Sequence, residues 1–142
     1  MEPKNRTMYY KNICFMLSEK IKEVTGERRA FEDAFELEIP SENISILIYD
    51  IENNFDMENF FTEEERQEYQ YIGDIETVKL GTLESRFVIF ANDKDSFAEF
   101  RALLPGEGIL CVGISAQKRQ DIRQILQWAE IREMLNSFTL RG

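Results

Sequence analysis

Phe35-Glu36-Leu37-Glu38-Ile39, Pro40-Ser41-Glu42-Asn43 and Ile44-Ser45-Ile46-Leu47-Ile48-Tyr49-Asp50-Ile51 run consecutively, and this stretch decides whether the chain is built on a sheet. Phe35, Leu37 and Ile39 alternate with Glu36 and Glu38. An extended backbone therefore puts three apolar side chains on one face and two carboxylates on the other. Pro40 closes the run, because proline has no N–H to give to a ladder. Ser41 to Asn43 make a turn. From Ile44 to Ile51 nearly every position is apolar, the pattern of a strand buried on most of both faces. The two runs read as a hairpin joined by a short loop.

Outward from this hairpin, helices and strands are expected to intermix. From Met8 to Thr25 apolar residues fall at Tyr10, Ile13, Cys14, Leu17, Ile21 and Val24, the stripe of an amphipathic helix stopped by Gly26. Asn53 to Gln70 is a polar excursion. Within it Thr62 and Glu65 form a capping box, and Glu63, Glu64 and Glu65 fill a first turn where the helix dipole favours negative charge, so a short helix runs from Glu63 to about Gln70. Asp74 to Leu80 and Arg86 to Ala91 read as strands. Asp95 opens a helix with Phe97, Phe100, Leu103 and Leu104 on one face, ended by Pro105-Gly106. Ile109 to Ile114 is a short strand. A last helix starts at Ser115 and turns Ile122, Ile125, Leu126, Ala129, Leu135 and Phe138 to the core.

The strand–helix–strand unit from Arg86 to Ile114 predicts a right-handed crossover onto a parallel neighbour. The fold class is α+β: a single mixed sheet of about five strands covered by helices, with a short acidic helical excursion. With 142 residues and no linker or repeat, one domain over 1–142 is expected.

Charge is unevenly placed. Between Ala30 and Glu76 stand fifteen carboxylates and one cation, Arg66, whereas the whole chain carries a net charge of −10. Such a density of like charge stays solvated and creates a negative potential that repels nucleic acid and anionic membrane. Eleven Phe, five Tyr and 43% hydrophobic residues exclude a disordered acidic tail. Lys4, Arg6 and Lys11 precede an apolar run of five residues, Ile13 to Leu17, too short for a signal peptide, and no window approaches the roughly 20 residues of a membrane span. A cytoplasmic protein is expected.

The chain has no histidine, which removes the commonest general base and zinc ligand. Cys14 and Cys111 lack metal-ligand spacing and sit in apolar runs, so they read as buried, reduced thiols. Asp50, Glu52, Asn54, Asp56 and Glu58 place an oxygen at every second position. An EF-hand needs Gly sixth and Glu twelfth, and Phe55 and Phe61 stand there. Pro105-Gly106-Glu107-Gly108 has no Lys and Ser/Thr of a P-loop. The order of elements resembles that of the PD-(D/E)xK nucleases, but their Glu/Asp-x-Lys triplet occurs only as Glu2-Pro3-Lys4, and Thr77 stands two before Lys79. No cofactor or metal is implied.

Two functions remain. The first is a stoichiometric protein-binding module or inhibitor, immunity- or antitoxin-like or a nucleic-acid mimic, whose acidic face blocks a basic partner such as a nuclease toxin or nucleic-acid-binding protein. Its contact residues are Asp56, Glu58, Phe60, Phe61, Glu63, Glu64, Glu65 and Glu68, carboxylates for charge pairing and aromatics for affinity. Phe55, Met57, Phe60, Phe61, Tyr69 and Tyr71 otherwise pin the excursion to the core. The second is a divalent-metal-dependent hydrolase or small-ligand domain, which needs two or three of Asp50, Glu52, Asp56, Asp74 and Glu76 to converge. Lys118, Arg119 and Arg123, interrupted by Asp121, make a solvated edge rather than a nucleic-acid site.

Overall fold

A computed structural model describes residues 5–28, 34–51, 60–104, 108–117 and 120–141. In chain order the strands and helices are β1 (Arg6–Tyr10), β2 (Ile13–Leu17), β3 (Lys22–Glu23), β4 (Phe35–Ile39), β5 (Ile44–Ile51), α1 (Glu63–Glu68), β6 (Tyr71–Ile72) and β7 (Glu76–Leu80). They continue with β8 (Leu83–Ala91), β9 (Asp95–Leu103), β10 (Ile109–Gln117), α2 (Ile122–Ile125), α3 (Ala129–Asn136) and β11 (Thr139–Leu140).

The described strands form two sheets. One has three strands in the order β1-β2-β11. The other has eight, in the order β3-β4-β5-β10-β9-β8-β6, with β7 also pairing β8. Every pairing in both is antiparallel. The main core lies between them. Ile44, Ile46 and Ile48 of β5, Leu110, Val112 and Ile114 of β10, and Ala98, Phe100 and Ala102 of β9 face Ile13, Phe15 and Leu17 of β2. Ile122, Ile125, Ile131, Met134, Leu135 and Phe138 complete it from the C-terminal segment. Phe15 stacks on Phe138 with ring centroids 4.7 Å apart and meets Phe35 edge-on at 5.9 Å.

A polar clamp joins the sheets. Asp50 of β5 accepts hydrogen bonds of 2.7 Å from the Tyr10 hydroxyl and from Lys11 Nζ. Burial pushes the Asp50 carboxyl up, but these two donors outweigh it and hold it below the ordinary carboxylate value.

The architecture corrects the expected single five-stranded mixed sheet covered by helices: the protein is mostly β. Met8 to Thr25 is not a helix. Ile13, Phe15 and Leu17 are buried while Met16 is exposed, so the period is two, and β1 and β2 form a hairpin. Asp95–Leu103 is the strand β9 rather than a helix, because it pairs along its length with β10 and over most of it with β8. No parallel crossover exists there; β8, β9 and β10 are an antiparallel meander. The last helix starts later than Ser115, since β10 continues to Gln117, and it is split into α2 and α3 with Ala129 exposed. The β4–β5 hairpin and α1 with its Thr62–Glu65 capping box stand where expected. Pro105-Gly106-Glu107, Lys118 and Arg119 lie outside the described residues.

The C-terminal segment is held by the turn between β7 and β8. Gly81 has φ 62°, and a Cβ there would lie 2.0 Å from the Phe138 carbonyl oxygen. The next residue, Thr82, donates its N–H to that oxygen at 2.9 Å. Gly81→Ala is therefore expected to cost several times the ~1–2 kcal/mol of a left-handed alanine, because backbone must separate from backbone. Gly26 also has a positive φ, 66°, but nothing lies within 4 Å of its added Cβ. Gly26→Ala should cost only the conformational amount. Urea unfolding of both variants checks this, and equal losses would refute the clash.

Candidate binding face

The second face of the eight-stranded sheet, turned away from the main core, carries the chemistry. Alternation places Tyr49 and Leu47 of β5, Cys111, Gly113 and Ser115 of β10, Phe97, Glu99 and Arg101 of β9, and Val88 and Phe90 of β8 on it. Register aligns them in rows across the sheet. One row runs Arg86, Arg101, Cys111, Tyr49; the next runs Val88, Glu99, Gly113, Leu47, Glu36; a third runs Phe90, Phe97, Ser115, Ser45, Glu38.

Part of this face is covered by Phe60, Phe61 and Tyr69. Phe60 and Phe61 are 1% and 6% exposed and pack with Val88 and Phe90 into a second cluster, joined by Tyr69, Ile72, Ile75 and Phe97. Phe61 meets Phe90 edge-on at 4.8 Å, Tyr69 meets Phe90 at 4.7 Å, and Phe90 stacks on Phe97 at 5.0 Å. Under this cover lies a nearly buried ion pair. Arg101 reaches Oε2 of Glu99 through Nε at 2.8 Å and Nη2 at 2.7 Å, and its guanidinium lies 4.3 Å from the Phe60 ring centroid. The Tyr49 hydroxyl donates to Oε1 of Glu99 at 2.8 Å.

Burial raises the Tyr49 phenol far above its ordinary value, and the negative charge of Glu99 adds to it. The same two causes push the Cys111 thiol up to about 12. The Tyr69 phenol is raised by burial and then by Glu65, Glu68 and Glu99, so the acidic potential reaches from α1 to the sheet face.

Beside the Phe90–Phe97 stack lies a groove of about 340 Å³, within the ordinary range of ligand sites. Leu47, Tyr49, Phe97, Gly113 and Ser115 line it, and the charged residues among its described lining are Glu36 and Glu99.

The expected contact residues divide. Glu63, Glu64, Glu65 and Glu68 are all exposed on α1, which has no buried residue. Glu65 also accepts the Thr62 N–H at 3.0 Å. Phe60 and Phe61 face inward onto the sheet. Asp56 and Glu58 lie outside the described residues, as do Glu52, Asn54, Phe55 and Met57. Of the acids weighed for a metal, Asp50 is held by Tyr10 and Lys11, Asp74 is exposed, and Glu76 faces Arg123 at 3.7 Å. No group of three or more Cys, Asp or Glu among the described residues could hold a metal ion. Both cysteines are free; Cys111 is buried and Cys14 half-buried. No described helix is long and apolar enough to cross a membrane.

Tyr49, Glu99, Arg101 and Gly113 were missed as site residues. Two signals pointed to them: charges at Glu99 and Arg101, two apart in an otherwise apolar run, and a glycine inside the strand Ile109-Leu110-Cys111-Val112-Gly113-Ile114.

Known structures share this architecture. The Ran-binding protein Mog1p of Saccharomyces cerevisiae matches with a TM-score of 0.65 over 99% of this chain and 97% of that one, at 12% sequence identity. A point mutant of protein Mog1 matches with a TM-score of 0.60 over 100% of this chain and 97% of that one, at 14% identity. No protein-family description matches the chain, and no curated protein does. At these identities the likeness is one of fold.

Two outcomes follow from the packing and the shifts. Phe61→Ala is expected to lower stability by ~3–5 kcal/mol, the usual loss for a buried phenylalanine, read by denaturant unfolding; an unchanged midpoint would place Phe61 outside the core. Both Cys111 and Tyr49 have raised values in the fold, so their neutral forms are the folded ones. The stability they confer is complete below pH 9.0, the ordinary thiol value, and is lost as pH climbs toward about 12, because the unfolded chain releases these protons first. Thermal midpoints across that window should fall, and Tyr49→Phe should fall less steeply.

Proposed function

We propose that this chain is a protein-binding module whose second sheet face, with its acidic helix, docks on a basic partner. The observation that carries the reading is the placement of α1. Glu63, Glu64, Glu65 and Glu68 are exposed, while Phe60, Phe61 and Tyr69 on either side are pinned to the sheet. A rigid acidic ridge thus stands beside an open apolar groove. Glu65 serves the helix cap, but packing uses none of the other three carboxylates. Their charge is available to a partner.

The fold adds support, since Mog1p, which shares it, is a Ran-binding protein. The chemistry selects a partner with Lys and Arg at its surface. A nuclease or another nucleic-acid-binding protein has such a surface, and carboxylates would take the places of backbone phosphates there. Asp56 and Glu58 precede the ridge in sequence and belong to the same proposed contact. Charge of this kind sets association rate and selectivity more than affinity.

The test is affinity capture from the source organism's lysate at low and high salt, followed by kinetics with the captured protein. Replacing Glu64, Glu65 and Glu68 with Gln should leave the thermal midpoint within a degree or two, because all three side chains are exposed and the amide oxygen of a glutamine at position 65 can still accept the Thr62 N–H. It should slow association by about tenfold at low salt, an effect that shrinks as the Debye length falls. An unchanged rate with unchanged salt dependence would reduce the ridge to solvated surface.

A further inference from the structure

Gly113 stands mid-way along β10, the strand flanked by β5 and β9 in the middle of the sheet. Glycine in a strand interior costs roughly 0.5–1 kcal/mol against alanine, and it often marks a place where a ligand or another backbone comes close. No positive φ requires it here. Nor does the protein's own packing: a Cβ on Gly113 would meet only Glu99 Oε1 at 3.9 Å and the Leu47 carbonyl at 4.0 Å, both ordinary contacts. The space above Gly113 is the groove itself. The missing side chain therefore deepens a cavity that no described residue fills.

The chemistry of the groove selects its occupant. Among the described residues that line it, the two charged ones are both carboxylates. Glu99 divides its oxygens: Oε2 is turned to Arg101, whereas Oε1 takes the Tyr49 hydroxyl and borders the space over Gly113. Arg101, the cation that balances Glu99, does not line the groove. Glu36 lies on the other side of Gly113, beyond Leu47 in the same row. Between them Phe97 and Tyr49 present aromatic walls.

We infer that the groove is a receptor for an arginine side chain of the partner, carried on an apolar segment, with Gly113 left bare to admit it. A planar guanidinium suits this space better than an ammonium, because it lies flat on aromatic rings while donating in its own plane. Glu99 Oε1 and Glu36 are the acceptors at the two ends, and Leu47 and Phe97 take the flanking apolar residues. The inference rests on the protein-binding reading and names what this part of the face would take.

Three synthetic peptides test it: acetyl-Leu-Arg-Leu-amide and its counterparts with citrulline or glutamate in the middle. Each is titrated into ¹⁵N-labelled protein, following the backbone amides of Gly113, Leu47 and Ser115. The arginine peptide should shift these amides in a saturable way. Citrulline, which keeps the shape and loses the charge, should bind about tenfold more weakly or worse, the scale of one hydrogen bond to a charged group. Glutamate should not bind. Gly113→Val fills the groove from a strand position that favours β-branched residues, so it should abolish the shifts while leaving the thermal midpoint unchanged or higher. Glu36→Gln should weaken the arginine peptide alone.

Equal binding of the citrulline peptide, or undiminished binding to a folded Gly113→Val variant, would overturn the inference. So would unmoved groove amides with all three peptides. None of these results touches the acidic ridge, whose reading stands or falls on the salt-dependent association rate.

Discussion

A sheet that is apolar on one face and carries an aromatic patch with a nearly buried ion pair on the other needs cover on both sides, and most of this structure answers that constraint. One face packs against the three-stranded sheet and the C-terminal helices, with Phe15 and Phe138 stacked between them. The other is covered in part by a single excursion, which sets Phe60, Phe61 and Tyr69 on Val88, Phe90 and Phe97. Apolar surface removed from water contributes about 25 cal/mol per Å², so these aromatic contacts tie α1 and its flanks to the sheet. Beside that cover, the described residues leave the groove over Gly113.

The ion pair between Glu99 and Arg101 is the costly element of this arrangement. Side chains 12% and 9% exposed lose most of their hydration, and such a pair often contributes less than apolar residues of the same size. Removing one partner, by contrast, leaves a stranded charge and costs ~3–5 kcal/mol. The pair therefore acts chiefly on position. Arg101 holds one carboxylate oxygen on the covered side, and Tyr49 holds the other at the edge of the groove. Phe60 covers the guanidinium. Cover, ion pair and groove wall are thus one connected assembly, in which losing the aromatic cap would also expose the pair.

The acids divide along the same line. Those of α1 are exposed and act on the fold through the Glu65 cap and their potential at Tyr69, whereas Asp50 joins the two sheets through Tyr10 and Lys11. Density of charge in the sequence did not distinguish these roles; burial and donors did.

Local signals in the sequence were enough for the β4–β5 hairpin, for β7 and β8 and for α1, because each is set by contacts a few residues apart: strict alternation, a proline stop, a capping box. The charge imbalance and the absence of histidine were legible in the same way. The N-terminal hairpin and β9 were not. Their apolar residues satisfy a spacing of three and four as well as one of two, and the choice between them is made by partners far along the chain: β2 finds β11 across more than a hundred residues, and β9 is held between β8 and β10. The binding face was hidden for the same reason. Glu36, Leu47, Glu99 and Gly113 share a row only because antiparallel registers bring four strands side by side, and hydrogen-bond register is a property of pairs of strands that neither strand carries alone.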